Sequence, residues 1–492
     1  MEITQRPKPH FVVIPWPGTS HIIPIVDVAC LLAAHGAPVT VITTPASAQL
    51  VQRRVERARE GSSAVITVAA IPFPAAEAGL PDGCERLDHV PSVDLVPRFF
   101  DAAMLFGEAV ARHCRLMAPR RPSAIVAGIC NTWAHGVARE LGAPCFVFHG
   151  FGAFGLLCSE YLHTHRPQEA VASLDERFDL PVLPPFECKF TRRQLPVQFQ
   201  PSSNVKEDTF REFREFEMAV DGIVVNSFEE LEHGSAARLA EATGKVVFAV
   251  GPVSLCGAPG LLDSRAGSDD ARRCMAWLDA KKANSVLYVS FGSNGRMAPA
   301  QLMQLGLALV SCPWPVLWVI KGADTLPDDV NKWLQHNTDA DGVSGSQCLA
   351  VRGWAPQVAI LEHQAVGGFL THCGWGSTLE SVAAGVPMAT WPFYAEQFLN
   401  EKLIVDVLGT GVSVGATKPT KGLLNRVQGV EETKPEVGTE QVKRALNKLM
   451  DGGIDGEGRR SKAQELKAKA KAALENGGSS YMNMEKLIYF VA

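Results

Sequence analysis

One pattern occurs twice along this chain and limits what it can fold into. Residues 11–15 are a short apolar run, and Pro17-Gly18-Thr19-Ser20 is turn-forming. Ile22, Ile25, Val26, Ala29 and Leu32 then recur at helical spacing. Ser20 has the side chain of a helix N-cap, Pro24 falls in the first turn, and Gly36 closes the helix before a strand at 38–43. The same order returns as strand 285–290, turn 291–295, helix 298–310 and strand 314–320. Two strands joined through a helix run parallel, so each copy predicts a doubly wound α/β domain. The Gly-, Pro- and Ser-rich stretch 251–268 reads as the linker. We therefore expect one domain over 1–255, a second over 256–475 and a terminal helix over 476–492.

Length agrees, because 492 residues exceed what one ordinary core organises. Neither opening strand is followed by GxGxxG, so a dinucleotide-binding dehydrogenase is disfavoured. A formal charge of −5 argues against nucleic-acid or anionic-membrane partners. The amphipathic stretch 459–471, with Ala463, Leu466 and Ala470 at helical spacing, reads as a solvated basic face. Twelve cysteines are scattered without a CxxC pair, which fits reduced thiols and no metal site. The polar start of the chain is unlike a signal peptide, and the apolar stretch 22–34 is short for a membrane span and contains Asp27. The expectation is a cytoplasmic protein without a membrane span, taken as a monomer.

The chemistry concentrates in 354–397, WAPQVAILEHQAVGGFLTHCGWGSTLESVAAGVPMATWPFYAEQ. Residues 366–370 read as a strand running into His372-Cys373-Gly374-Trp375-Gly376-Ser377-Thr378, with a helix behind it that Gly385 stops. Ligands of such sheets sit beyond the carboxyl ends of the strands. A helix N-terminus there offers free N–H groups and partial positive charge, which suits a diphosphate. His372, Ser377 and Thr378 add side-chain donors, Glu380 can accept from ribose hydroxyls, and Trp354 offers a flat face for a base. Taken alone, Trp354 and Trp375 read as core aromatics and Glu380 as a helix-surface acid.

This segment resembles the C-terminal signature of plant secondary-product UDP-glycosyltransferases. WAPQ, ILEH, GGFLTHCGW, GVP, WP and the closing Glu-Gln all match, and VVNSFEELE at 224–232, VGPV at 250–253 and VLYVSFGS at 286–293 extend the likeness along the chain. The resemblance implies a GT-B fold, two Rossmann-like domains facing across a cleft. An acceptor would lie on the N-terminal domain and a UDP-sugar on the C-terminal one, while MEKLIYFV at 484–491 would return to the N-terminal domain. It implies that Trp354 stacks on uracil, that Gln357 contacts the nucleoside and Glu380 the ribose, and that Ala355 belongs to the same donor site. His372, Ser377 and Ser293 would serve the phosphates, with Trp375 and Gly376 lining the donor wall. Glu396 and Gln397 would bind sugar hydroxyls. UDP-glucose is then a substrate, no separate cofactor is implied, and the acceptor is a small apolar molecule such as a flavonoid, phenolic, terpenoid or steroid. Loops around 75–100 and 150–215, with Phe99, Phe100, Phe148, Phe151, Phe154 and Phe186, suggest an aromatic pocket in which several residues are equally core.

Glycoside formation needs a base for the acceptor hydroxyl, and His21 matches the family's base. A helix N-terminus beside it keeps the imidazole neutral. Three positions depart from the pattern. Ser20 stands where Gly is usual, Gly376 where Asn is usual, and Gly128 where family members carry an Asp that hydrogen-bonds the base. His21 acts alone on an acidic phenol, or another residue substitutes, or the protein is a weakened homologue that only binds an apolar molecule.

Overall fold

The computed structural model of the chain describes residues 8–59, 65–117, 121–186, 188–200, 207–255, 268–292, 295–323, 326–338, 347–420 and 434–492. Most of the expected linker, 256–267, and Ser293 lie outside them. Two compact units emerge. One comprises Met1–Ala153, Lys206–Ala258 and Ala472–Ala492, and the other Phe154–Val205 and Pro259–Lys471.

In the first unit a parallel seven-stranded sheet has the order β3-β2-β1-β4-β5-β8-β9. Its strands are β1 (Phe11–Ile14), β2 (Val39–Thr43), β3 (Ile66–Ala70), β4 (Ala124–Gly128), β5 (Cys145–His149), β8 (Gly222–Val225) and β9 (Val246–Ala249). The helices are α1 (Thr19–Ala34), α2 (Pro45–Arg59), α3 (Val96–Leu116), α4 (Ala134–Leu141), α6 (Glu207–Ala219), α7 (Ser235–Thr243) and α16 (Ser479–Val491), while α5 (Ala153–His165) leads out of the unit. Strands such as FVVI and CFVFH are buried at every position, as a sheet covered on both faces requires.

The first helix corrects one expectation. It starts at Thr19 with Gly18 as N-cap and no side-chain cap, so Ser20 is the second helical residue. The cap comes instead from Asp88, whose carboxylate accepts from the Thr19 N–H at 3.1 Å and its hydroxyl at 3.0 Å. A partner 69 residues away has displaced the local one. The earlier start moves Pro24 into the second turn, where its missing N–H leaves the Ser20 carbonyl without its helical donor. Asp27 of α1 pairs with Arg54 of α2 through two bonds of 2.8 and 2.6 Å, an ion pair buried between the helices. The terminal helix α16 buries Met484, Leu487 and Ile488 in the cluster that contains Phe11, Ile25 and Val39. Ser480 donates to the Gly251 carbonyl at 2.5 Å and Asn483 to that of Ala249 at 3.1 Å.

In the second unit six parallel strands have the order β12-β11-β10-β13-β14-β15. They are β10 (Val286–Ser290), β11 (Val316–Ile320), β12 (Cys348–Arg352), β13 (Val366–Thr371), β14 (Met388–Thr390) and β15 (Gly411–Ser413). Around them lie α8 (Asp269–Asp279), α9 (Pro299–Val310), α10 (Asp328–Asn337), α11 (Gln357–Glu362), α12 (Trp375–Ala384), α13 (Gln397–Lys402), α14 (Thr439–Met450) and α15 (Ile454–Leu474). Gly385 ends α12 in the left-handed conformation (φ 73°), which an L side chain adopts only at a cost. A small antiparallel pair, β6 (Arg177–Asp179) with β7 (Lys189–Thr191), completes the strands. On α15, Ala463, Leu466 and Ala470 are buried while Lys462, Lys467, Lys469 and Lys471 are exposed, so the basic run is an amphipathic face.

Candidate active site

Strand β13 ends at Thr371, and the chain turns through His372-Cys373-Gly374 into α12. Cys373 takes φ 64°, an uncommon conformation for a non-glycine residue. Its carbonyl is held by Asn400 Nδ2 at 2.9 Å, a brace that sequence reasoning had not singled out. The His372 ring threads between two glycines. A Cβ on Gly292 would lie 2.7 Å from its Cε1, and one on Gly374 would lie 2.4 Å from its Nε2. Burial pushes the imidazole down to about 4, so it is neutral at physiological pH. Its Nδ1 is buried without a hydrogen-bond partner among the described residues, which leaves a polar atom for a ligand or water to satisfy.

Helix α11 delivers Gln357 to the same end of the sheet. Its Nε2 donates to Ser377 Oγ at 2.9 Å and to Glu380 Oε2 at 2.7 Å, and its Oε1 accepts from Tyr288 Oη at 3.2 Å. Tyr288 is the second residue that sequence reasoning missed, because it lies inside a strand buried at every position. Burial raises its hydroxyl pKa and keeps it a donor. One amide thus fixes side chains on α12 that lie a turn apart. Trp354 stands half-buried just after β12, followed by the buried Ala355.

The Trp375 side chain is packed in the core, as its bland reading holds, but its main-chain N–H opens α12. That N–H donates to the Glu396 carboxyl, which Asn400 also approaches at 3.4 Å. Burial pushes Glu396 up to about 7, against the lowering effect of these donors. Gln397 is buried and its Oε1 accepts from the N–H groups of Phe393 (2.8 Å) and Tyr394 (3.1 Å). Gly376 is exposed, with open space where a Cβ would stand. Of the sequence-selected residues at the carboxyl end of the second sheet, Gln357, Ser377 and Glu380 form one hydrogen-bonded group, the Trp375 main chain and Glu396 a second, and His372 and Gln397 both meet Phe393. Among the described residues no group of three His, Cys, Asp or Glu side chains could hold a metal ion.

His21 lies in the other unit, in the first turn of α1, and its N–H donates to the Gly18 carbonyl at 2.9 Å. Burial holds its imidazole below the usual range. Gly128 ends β4, beside β1. A Cβ added there would lie 3.1 Å from the Trp16 main-chain nitrogen and 3.8 Å from Asn131 Nδ2. Asn131 is buried and donates to the Ile14 carbonyl at 2.9 Å. The Cys130 thiol is pushed up to about 12 by burial and is neutral. Of the aromatic candidates, Phe99, Phe148 and Phe154 are core, whereas Phe100, Phe151 and Phe186 are half-buried. Phe100 packs on Trp16 at 5.2 Å.

Comparison with known proteins accords with this arrangement. Residues 260–434 match the model of the family described as UDP-glucoronosyl and UDP-glucosyl transferase. UDP-glycosyltransferase 73D1 of Arabidopsis thaliana is 40% identical over 501 residues, which cover 99% of this chain and 97% of that protein. The chain belongs to the UDP-glycosyltransferase family. UDP-glycosyltransferase 73C5 of the same plant is 38% identical over 99% of this chain and 97% of its own length. Among solved structures of UDP-glycosyltransferases, Glycyrrhiza uralensis UGT73P12 complexed with glycyrrhetinic acid 3-O-monoglucuronide aligns with TM-score 0.87 and 34% identity. The match covers 98% of this chain and 96% of that one. Phytolacca americana UGT2 complexed with UDP-2fluoro-glucose and pterostilbene aligns with TM-score 0.73 and 25% identity over 98% and 99%. The fold is GT-B, with two doubly wound α/β units, and the activity is glycosyl transfer from a UDP-sugar. Among the described residues no helix is long and apolar enough to cross a membrane.

Proposed function

We propose that this enzyme is an inverting transferase that moves glucose from UDP-glucose to a hydroxyl or carboxyl of a small apolar plant metabolite, without a metal. The observation that carries the reading is the bracing of Ser377 and Glu380 by Gln357 at the start of α12. This bracing holds Ser377 and Glu380 in place before a ligand arrives. In this reading Trp354 and Ala355 take the uracil and Glu380 the ribose. Ser293, His372, Ser377 and the α12 N–H groups take the diphosphate, with Gly376 beside it. His372 is neutral and supplies a hydrogen bond rather than charge, so the helix end provides the electrostatic part. Glu396 accepts from sugar hydroxyls. Gln397 has its oxygen committed to the main chain and presents its amide N–H to them. His21 takes the proton from the acceptor oxygen as that oxygen bonds the anomeric carbon. The bond to UDP breaks on the opposite face, so the configuration inverts. A cytosolic setting is supported by the described cysteines, which are free thiols and mostly buried.

The test is a competition between equal UDP-glucose and UDP-galactose with a panel of phenols and terpenoids, in buffer containing EDTA. Glucosides should predominate. A galactoside as major product would refute the sugar assignment, and loss of all turnover in EDTA that Mg²⁺ restores would refute the metal-free one.

A further inference from the structure

His21 lacks the carboxylate that would steady an imidazolium, because position 128 is glycine and its surroundings are filled by Trp16 and Asn131. A carboxylate does reach the same first turn from another direction. Asp88 sits in the short turn Leu87–His89 and accepts from both the N–H and the hydroxyl of Thr19, two residues before His21. The Leu87 N–H donates to the Pro17 carbonyl at 2.9 Å, which fastens that turn to the loop preceding α1. A Cβ on Gly18 would have both Leu87 Cβ (3.8 Å) and His21 Cδ2 (3.7 Å) as neighbours, so the turn and the imidazole flank one residue.

We propose that Asp88 is the charge partner of His21, acting through the N-terminal turn of α1 in place of a carboxylate at position 128. This rests on the reading of His21 as base. The bare end of a helix carries partial positive charge and disfavours a protonated imidazole in its first turn. An ionised carboxylate on that end offsets this and favours the proton once transferred. Asp88 is a positioning residue, since it touches Thr19 and not the reacting atoms. Arg86 Nε lies 3.6 Å from Asp88 Oδ2 and also contacts His89, and Glu85 accepts from the Ala46 N–H at the start of α2. Arg86 weakens the field of Asp88, while the carboxylate keeps both Thr19 contacts.

Asp88→Asn separates charge from geometry, because an amide can keep both Thr19 contacts with its oxygen and its NH₂ group. The direct readout is the NMR titration of His21 in histidine-labelled protein, assigned by its loss in His21→Gln. At low salt the midpoint should fall by about half to one pH unit in Asp88→Asn, the scale of one charge acting over a helical turn. In wild type, raised salt should lower the midpoint toward that of the variant, because Asp88 is partly exposed. The acid limb of kcat/KM for 2-naphthol with UDP-glucose should move in the same direction, with little change in KM. A midpoint unmoved in both Asp88→Asn and Asp88→Ala would overturn the proposal. If the midpoint moves but His21→Ala keeps full turnover, the coupling stands and the base reading falls.

Discussion

At the scale of single residues, His21 and Glu396 are the two titratable side chains on which turnover and donor binding should turn. Deleting a working general base costs about 10²–10⁴-fold, so His21→Ala should lose that much kcat while UDP affinity in calorimetry stays unchanged. A smaller loss would move the proton to another group. Glu396 gives a pH prediction. Its carboxyl is held at about 7, so it is largely protonated below that and ionised above it. Sugar hydroxyls donate best to the ionised form, hence UDP-glucose should bind more tightly as pH rises through 7. Glu396→Gln should flatten this dependence and remove the gain above neutrality. The comparison between the two proteins isolates Glu396 from other titrating groups, including the terminal phosphate changes that complicate UDP itself.

At the scale of elements, α12 and its flanks carry the proposed donor site. The helix presents its N-terminus because β13 ends at Thr371 and Gly374 lets the chain pass the His372 ring. Gly376, the second residue of α12, leaves open space and exposes main chain to solvent. Gly376→Asn should therefore fold without loss of melting temperature, since no atom stands within 4 Å of the added Cβ. It should also lower KM for UDP-glucose by adding an amide donor beside the diphosphate. An unchanged KM would show that this wall does not touch the donor. Helix α13 holds the Cys373 carbonyl through Asn400 and runs directly into a π-helical turn at Leu403–Val407, a feature often found beside functional sites.

At the scale of the whole molecule, the chain enters the second unit twice and finishes in the first. Helix α16 closes the core of that first unit with Leu487 fully buried. Leu487→Ala should cost about 2–5 kcal/mol, the range for removing a buried leucine side chain. Calorimetry should show the loss in the transition of the first unit. UDP binding should survive, because the proposed donor contacts are all in the second. A variant that lost UDP affinity in proportion to stability would contradict that division.

Much of this was legible in order along the chain. The β-α-β pattern, the glycine stop at Gly385 and the dense 354–397 signature were enough for the fold class and for naming the segment that gathers at the carboxyl end of the second sheet, because they depend on local periodicity and on residues close in sequence. What lay beyond reach were partnerships between distant segments. Ser20 had the right chemistry for an N-cap, yet Asp88 took the role once folding brought residue 88 to residue 19. Tyr288 and Asn400 carried no signal of their own until folding placed β10 beside β13 and brought Asn400 of α13 to the Cys373 carbonyl. The empty place at Gly128 was visible in the sequence, but only packing showed that Trp16 and Asn131 close on it. Local sequence determines which elements form and where they stop; which side chain completes a site is decided by contacts that exist only after those elements are assembled.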